Sequence, residues 1–157
     1  MSMPHPVDTE LDLNHSRIRD SSIRSIELFQ LDRLAYQTIQ GAAAAQDRTA
    51  CLLKISSSGV NGWGLCALPV REPQFDFIKW TSVFGKLKGT SVADAIHFVH
   101  EHHSDWGLER YTAGKASLMD LASQYEGGRF FSRQSEVCNG LERSYLIDHS
   151  DRYFSFL

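Results

Sequence analysis

The sequence predicts an α+β domain, a small antiparallel sheet followed by a layer of helices. Three observations predict it. Apolar and polar residues alternate in two segments before residue 56, and a serine–glycine pair then offers a tight turn. From residue 75 the apolar spacing lengthens to three and four, the period of a helix face. The two textures do not interleave along the chain, so strands and helices segregate.

The elements follow in order. Residues 1–21, MSMPHPVDTELDLNHSRIRDS, have no apolar h-region and turn acidic early, so they read as a flexible leader and not as a targeting peptide. SIRSIELFQLDR is the first strand, with Ile26 and Leu28 on one face and Glu27 and Phe29 on the other. LAYQTIQGAAAAQD, residues 34–47, lacks a strand period and holds Gly41 and four successive alanines. It reads as a long functional loop; the other reading is a short helix begun by the alanines.

RTACLLKIS is the second strand, with Cys51, Leu53 and Ile55 on one face and Leu52 and Lys54 on the other. A turn at Ser58-Gly59 sends the chain back as NGWGLCALP. That turn sets Lys54 opposite Trp63, Leu52 opposite Leu65 and Cys51 opposite Cys66, with the Lys54 stem free to lie across the indole. Gly62 and Gly64 leave the face of Cys51, Leu53 and Ile55 bare, so another element can approach closely.

In PQFDFIKWTSVFGKLKG, Phe77, Trp80, Phe84 and Leu87 form one helical stripe that Gly89 ends. Ser91 to Asp94 resembles a capping box with a shorter acid, opening a helix that buries Val92, Ile96 and Val99. Gly107 breaks the chain. A third helix, residues 109–126, buries Leu118, Leu121, Ala122 and Tyr125 and stops at Gly127-Gly128. The aromatic stretch that follows, residues 129–157, is expected to pack on the domain or on a partner.

Two phrases resemble a known family. Ser57-Ser58-Gly59-Val60-Asn61-Gly62-Trp63-Gly64 is similar to the hairpin phrase DDGLVGWGE of the enolase superfamily's N-terminal capping domain, in its mandelate racemase and muconate lactonizing branch. Ala113-Gly114 and Ser117-Leu118-Met119-Asp120-Leu121-Ala122 are similar to that domain's closing phrase, AGVDMALWDLAGKALG. The resemblance spans residues 22–128. It implies a three-stranded meander under a helical layer, with the loop at 34–47 as a lid whose substrate contacts are Tyr36, Gln37 and Gln40. It also implies a following (β/α)₈ barrel that carries three carboxylate ligands for Mg²⁺ and the Lys or His bases.

The departures bear on function. Leu65 stands where the family has an acid after Gly-Trp-Gly, and Met119 where it has tryptophan. Only 29 residues follow Gly128, against about 200 for a barrel. Lys86-Leu87-Lys88 imitates the family's base motif but falls on a helix. The expectation is a cap-like binding or assembly module, not catalytic by itself and without a cofactor of its own. Its partner would be a second copy or a barrel-containing protein. The alternative is an accessory specificity lid, or a fragment of a Mg²⁺-dependent racemase, epimerase or dehydratase, whose barrel lies on another chain.

Two further constellations are weighed against plainer roles. His97, His100 and His103, with Glu101 one turn from His97, have ligand types suited to Zn²⁺ or Ni²⁺, making a metal sensor conceivable; solvated imidazoles at a helix C-terminus are the plainer reading. Cys51 and Cys66, facing one another, suggest a redox pair, or two reduced thiols packed as small hydrophobes. Cys138 has no visible partner. Three cysteines, an odd number, favour a reducing cytoplasm.

A formal net charge of −3 argues against a nucleic-acid surface. No apolar run approaches the roughly 20 residues that span a bilayer. Neither a phosphate loop nor a nucleophile elbow occurs.

Overall fold

The computed structural model describes residues 16–41, 49–125 and 132–157. Strands β1 (Ser25–Leu31), β2 (Ala50–Ser57) and β3 (Val60–Ala67) form the expected antiparallel meander. The turn that joins β2 to β3 fixes its register. Ser58 and Gly59 both take positive φ, 50° and 81°, the primed geometry whose twist matches the flanking strands. Lys54 consequently faces Trp63, Leu52 faces Leu65 and Cys51 faces Cys66, as the sequence implies.

The three-stranded expectation is too small. A fourth strand, β4 (Ser150–Phe156), comes from the tail and pairs antiparallel with β1, giving the order β3-β2-β1-β4. Its register slips between Gln30 and Leu31, which leaves Asp151 as an extra residue in a bulge. Gln30 lies opposite Arg152, and Leu31 lies opposite Ser150.

Seven helices surround the sheet among the described residues: α1 (Ser16–Asp20), α2 (Arg33–Gln40), α3 (Phe77–Thr81), α4 (Val92–Glu101), α5 (His103–Tyr125), α6 (Arg133–Gly140) and α7 (Arg143–Asp148). Part of the expected leader is therefore ordered, and α1 buries Ile18 completely. The first half of the expected loop is also helical. An Asp32 side-chain oxygen accepts the Ala35 N–H at 2.8 Å, capping α2, and Ala35 and Ile39 then face the sheet one turn apart. The alanine run, residues 42–45, and the expected helix stop at Gly127-Gly128 lie outside the described residues.

The stripe of Phe77, Trp80, Phe84 and Leu87 bends into two pieces, α3 and a 3₁₀ segment (Ser82–Leu87). Phe77, Phe84 and Leu87 are buried, and Trp80 is half-buried against Phe84. Ser91 caps α4 by accepting the Asp94 N–H at 3.0 Å. Gly107, at φ 80°, kinks α5 near its start.

Helices cover both faces of the sheet, not one. On the front, Ile26, Leu28, Leu53 and Ile55 pack with Phe84, Val99, Trp106, Leu118 and Leu121 from the 3₁₀ segment, α4 and α5. On the back, Phe29, Leu52 and Trp63 pack with Ala35 and Ile39 of α2, Cys138 of α6 and Leu146 of α7. The bare strip of β3 is where α5 settles. A Cβ on Gly62 would stand 2.1 Å from the Ser117 carbonyl oxygen, and one on Gly64 would stand 2.2 Å from that of Ala113. Glycine at these two positions is what lets a helix backbone touch a strand.

Candidate functional site

Among the described residues the sheet is open at one end, where β1 finishes at Leu31, β2 begins at Ala50 and β3 finishes at Ala67. A cleft of two adjoining lobes lies there. The first, of about 250 Å³, is lined by Tyr36 and Gln40 of α2, Thr49 and Ala50, Leu65 to Ala67, and Glu109 and Thr112 of α5. The second, of about 360 Å³, shares Thr49 and Ala67 and continues along Leu68 to Glu72.

Two of the three expected contact residues, Tyr36 and Gln40, thus line a cleft. Gln37 is on the same helix but is not part of the lining, and its carbonyl caps the helix by accepting the Gly41 N–H at 2.7 Å. The sequence reading missed Glu109, Thr112 and Thr49. Nothing local marks them, because the cleft exists only once α5 lies beside β3.

The outer edge of β3 carries the site's hydrogen-bonding chemistry. Leu68 donates its N–H to the Thr49 carbonyl at 2.8 Å, so Thr49 and Leu68 form a bonded pair. Antiparallel ladders alternate bonded and non-bonded pairs. Counting back along β3, the backbone groups of Asn61, Trp63, Leu65 and Ala67 point away from β2. Two of these four are met by side chains of α5. Asp120 Oδ2 accepts the Trp63 N–H at 2.9 Å, and the Gln124 amide donates to the Asn61 carbonyl. Leu65 and Ala67 receive no such partner among the described residues, and they line the cleft.

Asp120 sits in a small, partly buried network. It also accepts from Ser135 Oγ at 2.9 Å, while the Trp63 indole donates to Asn139 Oδ1 at 2.8 Å. Burial raises the Asp120 pKa, and the Trp63 N–H, Ser135 and Gln124 only partly offset it. The Gly-Trp-Gly phrase and the Leu118 to Leu121 phrase therefore meet physically: the glycines seat the helix and the aspartate ties it to the strand.

No family model, curated protein or solved structure matches this chain. The likeness to the enolase superfamily's cap rests on those two phrases alone, and their contact here is accounted for by packing and edge closure.

On the back face, Glu27 of β1 is 4% exposed and gathers three donors. Arg143 Nε donates to it at 2.7 Å, Tyr153 donates its hydroxyl, and Lys54 Nζ lies 3.5 Å away. Burial pushes its pKa up, but the hydrogen bonds from Tyr153 and Arg143 and the charge of Lys54 outweigh it, so the carboxyl titrates below its usual value. Lys54 in turn lies over the Trp63 ring at 5.4 Å, as expected. The cluster joins β1, β2, β4 and α7. A carboxylate held this firmly in its charged form is a clasp for the C-terminal elements and a poor base.

The histidine cluster does not converge. His97, His100 and His103 are exposed on α4 and the start of α5, and His103 spends Nδ1 on the His100 carbonyl at 2.8 Å. Among the described residues, no group of three or more His, Cys, Asp or Glu is placed to hold a metal ion. Cys51 and Cys66 face one another as unbridged thiols. Burial lifts the Cys51 pKa well above the ordinary thiol value; burial and the Glu109 charge lift that of Cys66 to about 12. Cys138 is likewise raised to about 12, first by burial and then by Asp120. Such thiols behave as small apolar groups. Lys86 and Lys88 point outward on either side of buried Leu87, and Lys88 donates to the Leu157 carbonyl. No helix among the described residues is long and apolar enough to cross a membrane.

Proposed function

We propose that the chain works as a binding or assembly module of cap-like design, engaging its partner at the open end of the sheet. One observation carries this reading. The cleft there brings Tyr36 and Gln40 of α2 together with Glu109 and Thr112 of α5 beside strand backbone that no other group uses among the described residues. Elsewhere Glu27 clasps the tail, and Asp120 and Gln124 meet two groups on the edge of β3, while the Gln30 side-chain oxygen is buried without a partner among the described residues. The unbridged thiols suit the reducing cytoplasm that the cysteine count suggests.

A second reading is favoured by the placement of Tyr36 and Gln40. The same cleft is where an accessory lid would meet a Mg²⁺-dependent barrel on another chain, as the resemblance implies. Both readings use one surface, and they differ in what covers it.

A photo-crosslinking residue in place of Gln40, compared with one in place of Lys79 on the exposed face of α3, tests the surface. The expected result is a discrete adduct from position 40 and none from position 79. Its mass identifies a second copy of the chain, a barrel protein or another partner. Equal labelling from both positions, or none from position 40, would remove the cleft from consideration.

A further inference from the structure

The chemistry of the cleft narrows what can occupy it, taking the proposed binding surface as given. The wall formed by β3 offers the N–H and C=O of Leu65 and of Ala67, spaced as on any strand edge and aimed outward. Asn61 and Trp63 lie on the same edge and would offer the same groups. There the fold supplies a surrogate neighbour, an aspartate accepting one N–H and a glutamine donating to one carbonyl, which together mimic a paired strand. Natural sheets blunt an edge in this way when it must not pair. Among the described residues the protection stops where the cleft begins.

From the positions of Asp120 and Gln124, α5 runs back past the open part of the edge with Thr112 and Glu109. At those positions the side chains line the lobe; neither closes the edge. The second lobe lengthens the cleft beyond Ala67 as far as Glu72. Pairing along Leu65 to Ala67 with one residue overhanging at each end calls for an extended segment of about five residues.

We infer that the open half of the β3 edge is a strand-addition site, which takes a short extended peptide as a fifth strand. Main-chain hydrogen bonds to Leu65 and Ala67 supply the affinity, and the lining supplies the preference, as in other strand-adding recognition modes. Glu109 is the charged group beside Cys66, and its field adds to the elevation of that thiol's pKa. Of the ionisable groups on the lining, Tyr36, Cys66, Arg71, Glu72 and Glu109, it is the acid in the lobe that flanks Leu65. The favoured peptide therefore carries a basic side chain directed at Glu109. The opposite sheet edge, on β4, is the less suited of the two. It holds the Asp151 bulge, and exposed Asp151 and Arg152 interrupt it with charge.

The test uses the full chain, labelled with ¹⁵N, and a pool of blocked pentapeptides with a fixed central lysine and randomised flanks. A matched pool has alternate backbone nitrogens methylated, and a third has central glutamate. Strand addition predicts saturable downfield shifts of the Leu65 and Ala67 amide protons with the first pool. The methylated pool leaves them unmoved, and the glutamate pool binds about fivefold more weakly, the worth of one exposed ion pair. Ala67→Pro removes one outward N–H at an edge position that tolerates proline, so it weakens the response, read at the Leu65 amide, while the fold persists. Glu109→Lys reverses the preference between the lysine and glutamate pools. Shifts at Tyr36, Gln40 and Thr112 with static Leu65 and Ala67 amides would overturn strand addition while leaving the cleft as a binding surface. Shifts confined to β4, or none at millimolar peptide, would also overturn it. The crosslinking experiment then decides separately whether the cleft binds anything.

Discussion

Replacing Gly64 by alanine tests the packing that creates the cleft. The added Cβ would sit 2.2 Å from the Ala113 carbonyl oxygen, against an ordinary contact of 3.4 Å or more. The obstacle is helix backbone and cannot rotate away. Helix α5 must therefore retreat by about 1 Å at that point, which loosens Leu118 and Leu121, both essentially inaccessible to solvent. Overpacking costs about 1–3 kcal/mol where side chains can yield, so a rigid contact belongs at or above the upper end, about 3 kcal/mol. For a chain of this size that is a Tm loss of roughly 6–12 °C. Differential scanning calorimetry with urea unfolding measures it, with Gly140→Ala as control. A Cβ on Gly140 meets nothing within 4 Å, and that variant is expected to stay within about 0.5 kcal/mol of the parent. A Gly64→Ala protein as stable as the parent would refute the close approach of α5 to β3.

Three other outcomes follow from the same geometry. Glu27→Gln is expected to lose about 2 kcal/mol near neutral pH, because Arg143 and Lys54 keep their charges without a carboxylate to meet them. Since the Glu27 pKa is lowered on folding, its contribution is present above the usual carboxylate range and lost as pH falls through the folded value. The acid limb of a stability–pH curve should therefore flatten in the variant. Asp120 has the opposite sign: its raised pKa means that stability declines as pH rises from the ordinary range through the folded value. Asp120→Asn should remove that decline while keeping an acceptor for Trp63, whereas Asp120→Ala should cost about 1–3 kcal/mol by stranding the N–H. Finally, a Cys66 pKa of about 12 cuts the thiolate fraction by roughly a thousandfold relative to a free thiol. Native-state alkylation of Cys66 should be correspondingly slow, and fast labelling would contradict a thiol held protonated by burial and by Glu109.

What the sequence revealed depended on how local the cause was. The β2–β3 register was legible because a two-residue turn at Ser58-Gly59 dictates it, and the capping of α4 was legible because Ser91 and Asp94 are three residues apart. The glycines beside Trp63 announced a close neighbour without naming it. The tail stayed obscure because what holds it is distant. Tyr153 and Arg143 reach Glu27 across more than a hundred residues, and β4, which follows α6 and α7 in the chain, pairs Tyr153 with Phe29 over a similar separation. The helix α2 was missed because its buried stripe is just Ala35 and Ile39, too brief for a period to show. For the candidate site, Tyr36 and Gln40 were found through a resemblance, but Glu109 and the open edge required the packing of α5. The histidines drew attention by their spacing, yet a spacing of three drifts around a helix and leaves each imidazole to solvent.

Amide hydrogen exchange along β3 addresses the main claim most directly, since it needs no ligand and reads each N–H separately. Protection is expected at Gly64 and Cys66, which bond to β2, and at Trp63, which Asp120 holds; Leu65 and Ala67, set between them, should exchange rapidly. Slow exchange at Leu65 and Ala67, or fast exchange at Trp63, would contradict an edge that is closed in its first half and open in its second.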